Sequence, residues 1–148
     1  MSTEPDLPHS VTLMVRDACL CLQTQRAARA LARRFDDAFR PVGLTNGQFS
    51  LLMSLNRPEP PTVGSVASLL AMDRTTLTAA LKPLARRKLL KVRIDPDDRR
   101  SRRLILTAAG RSLLAQALPI WREQHAALEK GLADVSVQQL RAGLAALV

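Results

Sequence analysis

Four arginines, Arg99, Arg100, Arg102 and Arg103, crowd into the stretch RIDPDDRRSRRLILTAAG, residues 93–110. A guanidinium is always charged and presents a planar fork of donors, which suits phosphate oxygens and the narrow groove of a duplex. The chemistry on offer is recognition of a polyanion. Ahead of the cluster, Lys91, Val92, Arg93 and Ile94 read as a strand running into an Asp-Pro turn. Behind it, Leu104, Ile105 and Leu106 read as a second strand, and Thr107 stands where it can cap a helix. The expected element is a β-hairpin with an arginine-loaded tip, stiffened by Asp98 pairing with one of the arginines.

A basic hairpin needs a neighbour that reads bases. Asp73 can cap a helix from about Arg74 to Lys88, with Leu77, Ala80, Leu81 and Leu84 facing a core. Its other side shows Thr75, Thr76, Thr78, Ala79, Lys82 and Arg86. Before it, Gly64 to Met72 reads as a short helix with Val66, Ala67, Leu69 and Leu70 inward. Two short helices joined tightly, the second polar outside, make a helix-turn-helix, and the hairpin is then its wing. Arg74, Thr75, Thr76, Thr78 and Lys82 are expected in the major groove, and Arg86 is expected to bind DNA as well. The alternative for the threonines is that they only cap and cover the helix start. Arg100 is expected in the minor groove, with Arg99 and Arg102 beside it; strand alternation turns Arg103 the other way.

The remaining elements must hold this lobe. A long helix is expected from about Val11 to Phe39, with Leu20, Ala27, Leu31, Phe35 and Phe39 on one face. Arg26, Arg29, Arg33, Arg34 and Arg40 decorate its other sides, and Pro41 and Gly43 end it. Thr45 and Gln48 form a capping box for a helix carrying Phe49, Leu51, Leu52 and Leu55. Arg57-Pro-Glu-Pro-Pro61 is a stiff linker, and Thr62-Val63 a short strand. Thr107 opens a second long helix to about Leu132, with Leu113, Leu114, Leu118, Trp121 and Leu128 inward. Ser136 and Gln139 form another capping box before Leu140, Leu144 and Leu147. The fold class is mainly α with a small β-hairpin wing: a winged helix-turn-helix on a helical dimerisation domain. Residues 1–10 are a flexible lead, and residues 11–148 one domain. Its dimerisation helices are about 11–40 and 108–148, and its DNA-binding lobe about 45–107. The apolar surface at both ends suits an intertwined two-fold homodimer.

A net charge of +9 over 148 residues again points to a polyanionic partner, double-stranded DNA. Only four residues are lysine, Lys82, Lys88, Lys91 and Lys130. A non-specific architectural DNA binder would be equally basic; the ratio of specific to random-sequence affinity separates the two. No Ser-His-Asp set, glycine-rich phosphate loop or paired acidic cleft is visible, so no enzyme is expected. His9 and His125 are isolated, and no metal or cofactor is expected. No apolar run is long enough for a membrane span, and the N-terminus lacks a signal peptide's pattern; the expected location is the cytoplasm.

The chain resembles the MarR family of bacterial transcriptional regulators from about Asp17 to Gly143. Asp97-Asp98-Arg99-Arg100 followed by Leu106-Thr107-Ala108-Ala109-Gly110 resembles the family's wing signature, with Asp98 and Arg100 on its Asp-x-Arg pair. Gly43-Leu44-Thr45 with Gln48-Phe49 resembles the start of the second helix, and Asp73 to Thr78 that of the recognition helix. Two residues depart from the pattern: Pro83 lies inside the recognition helix, where a kink is expected, and Lys88 replaces a helix-ending glycine. The resemblance implies a homodimer that binds a palindromic operator, represses, and releases it when a small-molecule effector acts. A pocket lined by Phe35, Phe39, Phe49, Met53 and Trp121 is the expected effector site; ordinary core is the alternative.

Cys19 and Cys21 raise thiol-based redox sensing as a second function. Cys21 lies 24 residues before Thr45, an offset that resembles the reactive cysteine of the family's organic-hydroperoxide-sensing branch. That branch supports its thiol with tyrosines, and this chain has none; Gln25, Phe35 and Asn46 take those places. On an unbroken helix the two thiols point about 200° apart and cannot bridge. The alternative is a pair of small apolar residues near the dimer contact.

Overall fold

A computed structural model of the chain describes residues 5–148. The elements are α1 (His9–Ala18), α2 (Leu20–Phe39), a short 3-10 turn (Arg40–Val42), α3 (Asn46–Ser54), α4 (Val63–Leu69) and α5 (Arg74–Arg86). Then come β1 (Leu90–Ile94), β2 (Arg102–Leu106), α6 (Ala108–Gly131) and α7 (Val137–Ala145). The fold is therefore mainly helical with one antiparallel hairpin. Two compact units make up the chain, one ending at Arg34 and the other running Phe35–Val148. Among the described residues no helix is long and apolar enough to cross a membrane.

The first unit corrects the expectation of one helix from Val11. Helix α1 starts earlier, at His9, so the expected lead is shorter; its residues 1–4 lie outside the described residues. The helix then breaks at Cys19, which is extended at φ −75 and ψ 107. The Cys19 N–H closes α1 on the Val15 carbonyl at 2.9 Å. Its Sγ accepts the Leu22 N–H at 3.4 Å, so the thiol opens α2 as a cap would. The premise that both cysteines ride one unbroken helix fails at that point.

In the second unit each helix is started by a short polar side chain. Thr45 and Gln48 make the reciprocal capping box of α3. Thr62 accepts the Ser65 N–H at 3.1 Å to open α4, so Thr62-Val63 is a helix start. What survives of the expected strand there is a single bridge, Thr62 to Arg103, beside the Leu104 N–H donating to the Pro61 carbonyl. Thr107 caps α6 on the Gly110 N–H at 3.0 Å. Helix α5 continues through Pro83.

The core is the ring of Phe39, Leu52, Val66, Leu77, Leu84, Leu90 and Leu104, each essentially without solvent exposure. With Leu114 and Ala117 of α6 it gathers apolar residues from the end of α2, α3, α4, α5 and the hairpin, which is how the wing is tied to the helix-turn-helix. Phe39 stacks on Phe49 with ring centroids 4.7 Å apart. Leu69, expected inward, is exposed; α4 ends there, and its inward positions are Val66 and Ala67. Three turns among the described residues use non-glycine residues in the left-handed region, Ala71 (φ 51) between α4 and α5, Lys88 (φ 60) after α5 and Ala133 (φ 42) between α6 and α7. Lys88 thus adopts the backbone expected of the glycine it replaces.

Candidate nucleic-acid interface

The hairpin pairs Leu90 with Leu106, Val92 with Leu104 and Ile94 with Arg102. This register leaves residues 95–101 as the tip. The Asp95 N–H donates to the Ser101 carbonyl at 3.0 Å, and the Ser101 N–H to the Asp98 carbonyl at 2.9 Å. Side chains lock the turn further: Asp95 Oδ1 accepts the Asp97 N–H, and Asp98 Oδ1 accepts the Arg100 N–H, both at 3.0 Å.

Asp98 therefore holds the backbone of the tip. The expectation that it pairs with an arginine side chain is corrected, because its carboxylate is turned inward to the Arg100 amide two residues on. The carboxylate that does pair is Asp95, which is buried and accepts from Arg103 Nε at 3.0 Å. The same guanidinium donates from Nη1 to the Pro60 carbonyl at 2.9 Å. Arg103 thus fastens the hairpin to the proline-rich linker, on the face opposite Arg102, as alternation requires. Arg102 folds its guanidinium back onto the Arg99 and Ser101 carbonyls at 3.0 and 3.2 Å. Arg99 and Arg100 are exposed, and among the described residues no carboxylate pairs with either guanidinium.

On α5, Arg74, Thr75, Thr76, Thr78, Lys82 and Arg86 are all exposed. They are not equally free. The Thr76 hydroxyl donates to Asp73 Oδ2 at 2.7 Å while Asp73 Oδ1 accepts the Thr76 N–H at 2.8 Å. These bonds from the Thr76 hydroxyl, then from its N–H, hold the Asp73 carboxyl below the usual carboxylate range. Thr76 is thus occupied with capping. Arg74 lies over Gly64, where an added Cβ would come within 2.9 Å of Nη2. Thr78 and Lys82 face outward and, with Val63, Leu81 and Ala85, join Val92 and Arg102 of the hairpin around one shallow concavity of about 190 Å³.

The expected effector residues separate. Phe49, Met53 and Trp121 line a mostly apolar crevice of about 520 Å³ with Ser50, Ser54, Leu69, Leu70 and Leu118. Phe39 is wholly buried in the core, and Phe35 packs against it at 5.8 Å between ring centroids. In the first unit Cys21 is exposed and its Sγ accepts from Gln25 Nε2 at 3.2 Å. The sequence reading passed over Asp95, the Pro60 carbonyl and the Arg87 bond to the Gly43 carbonyl at 2.8 Å. The last two acceptors are backbone atoms more than forty residues away, for which no side-chain motif exists.

The MarR family model matches residues 44–101, from the approach to α3 to the hairpin tip. The transcriptional regulator MosR of M. tuberculosis, solved in complex with DNA, is 38% identical, over 87% of this chain and 92% of that one, at a TM-score of 0.77. The chain belongs to the MarR family of transcriptional regulators. A second relative is the transcriptional repressor CouR, which one structure shows on a 23-mer DNA duplex. It is 28% identical, over 97% of this chain and 96% of that one, at a TM-score of 0.71. CouR bound to p-coumaroyl-CoA is 25% identical in the aligned region, over 89% and 92% of the two chains, at a TM-score of 0.74. No curated protein matches the chain in sequence. In MarR terms α4 and α5 are the helix-turn-helix and β1–β2 the wing.

Proposed function

We propose that this MarR-family regulator is a sequence-specific repressor that binds a palindromic operator as a homodimer. The observation that carries the reading is the shared concavity at which Thr78 and Lys82 of α5 meet Val92 and Arg102 of the wing. One helix face and one basic hairpin, fixed to each other by a common core, can grip adjacent grooves of a single duplex. In this reading Arg74, Thr75, Thr78, Lys82 and Arg86 serve the major groove, and Arg99, Arg100 and Arg102 the minor groove and its phosphates. MosR and CouR, both solved on DNA, support it. The dimer is built from the helices at about 11–40 and 108–148, whose Leu13, Met14, Leu140, Leu144 and Leu147 are exposed in the single chain. The crevice between α3, α4 and α6 takes a small apolar effector and biases the lobe. Selection of duplexes from random fragments by the purified protein tests the reading: it should return an inverted repeat with half-sites about one helical turn apart. Recovery of fragments with no common sequence sinks it in favour of a non-specific architectural binder.

A second reading is thiol-based regulation through Cys19 and Cys21. The observation favouring it is the helix break at Cys19, which leaves that thiol at a helix start, two residues before the exposed Cys21. A hydroperoxide would take two electrons from the two thiols, forming the disulfide and releasing alcohol and water. Thiol counts before and after peroxide, run beside operator binding, should fall together; binding that ignores a full loss of thiols removes this reading.

A further inference from the structure

Helix α2 carries a charged stripe that the wing and recognition helix do not account for. Arg26, Arg29 and Arg33 lie within about 60° of one another around the helix axis, and all three are exposed. Arg29 donates to Gln25 Oε1 at 3.2 Å. Among the described residues no carboxylate pairs with Arg26, Arg29 or Arg33. The two acids within helical reach of Arg33 are already committed. Asp36 Oδ1 accepts the Asn46 N–H at 2.7 Å and its side-chain amide at 2.8 Å. Asp37 pairs with Arg40 at 2.6 Å.

Like charges three and four residues apart on a helix repel, so the arrangement disfavours α2 unless an anion covers it. A second copy of the chain is a poor source of that anion. Each copy carries 22 basic against 13 acidic residues, so pairing two copies doubles the excess. Arginine rather than lysine at all three positions favours phosphate oxygens as the acceptors.

We propose that Arg26, Arg29 and Arg33 form a second DNA contact, a sequence-independent clamp on the phosphate backbone outside the base-reading lobe. The inference rests on the DNA-binding reading above. It adds to that reading a surface that raises affinity for any duplex and leaves discrimination between sequences to α5 and the wing.

The test is the salt dependence of binding by the full chain, wild type against R26Q/R29Q/R33Q, on the selected operator and a scrambled duplex of equal length. Each phosphate contact contributes about −0.9 to the slope of log affinity against log salt. The triple variant should flatten that slope by about 2 to 3 per protomer on both duplexes, with the operator-to-scrambled ratio unchanged. An unaltered slope means the stripe is merely solvated and overturns the proposal. So does a variant whose sedimentation shows a changed oligomeric state, since the stripe then pairs copies of the protein. A wild type that binds neither duplex instead defeats the DNA-binding reading on which the clamp depends.

Discussion

Arg103 Nε meets Asp95 Oδ2 at 3.0 Å where the two strands of the wing give way to its tip, and the Asp95 side chain is only 6% exposed. The pair sits where strand register, linker and tip converge, since Arg103 also holds the Pro60 carbonyl and Asp95 also holds the Asp97 amide. Removing the guanidinium leaves a buried carboxylate short of its counter-charge. Arg103→Met should cost about 1–3 kcal/mol of unfolding free energy, below the full buried-pair value because Arg103 keeps some solvent. Adding Asp95→Asn should recover part of it. Denaturant titration of the single and double variants checks this; additive losses would mean that the two side chains act independently.

Arg100 answers to a different measurement. Its backbone is fixed by Asp98, but its side chain is exposed and, among the described residues, holds no partner. Arg100→Ala should leave the thermal midpoint unchanged and weaken operator binding by about 1–3 kcal/mol at fixed salt. Equal affinity for wild type and variant would remove the wing tip from the binding account.

How far the sequence could be read follows from the range of each interaction. Helix starts were legible because a cap and the amides it serves lie within four positions, as Thr45 with Gln48 and Thr107 with Gly110 show. The opposite facing of Arg102 and Arg103 was legible because strand alternation is local. The break at Cys19 was not: neither a glycine nor a proline marks it, and a thiol is a weak cap. Proximity in sequence points to Asp98 as the carboxylate that pairs with one of the wing arginines. Asp95 wins because antiparallel pairing carries it back beside the root of β2. Periodicity places Leu69 inward, but it is the last residue of α4 and is exposed, one turn beyond the buried Val66.

Acid should loosen the lobe in a predictable direction. Bonds from the Asn46 N–H, then from its side-chain amide, hold the Asp36 carboxyl below its ordinary range, and Thr76 does the same to Asp73. A carboxyl depressed in the folded state adds stability that is complete above its unfolded pKa, about 4. That stability is lost as pH falls through the lower folded value. The thermal midpoint should therefore decline below about pH 4, and decline less in D36N/D73N, whose amides do not titrate. Parallel curves for variant and wild type would show that these two carboxyls are not responsible.

Gly110 and Lys88 make opposite demands at one junction. The Leu89 carbonyl lies so close to Gly110 that an added Cβ would stand 2.1 Å from it, and the atom in the way is backbone. Gly110→Ala should cost about 1–3 kcal/mol or more, because the hairpin must shift away from α6. Lys88, next to Leu89, occupies the left-handed region at φ 60, which a side chain resists and glycine does not. Its N–H still bonds the Ala85 carbonyl, and its own carbonyl still accepts from the Thr107 hydroxyl, so replacement of the side chain disturbs neither. Lys88→Gly should therefore raise stability by about 0.5–1 kcal/mol, after the larger unfolded-state entropy of glycine is subtracted. Denaturant midpoints of the two variants should move in opposite directions. A loss in both would mean that the turn after α5 is not strained; a gain in both would mean that the close approach at Gly110 does not constrain the junction.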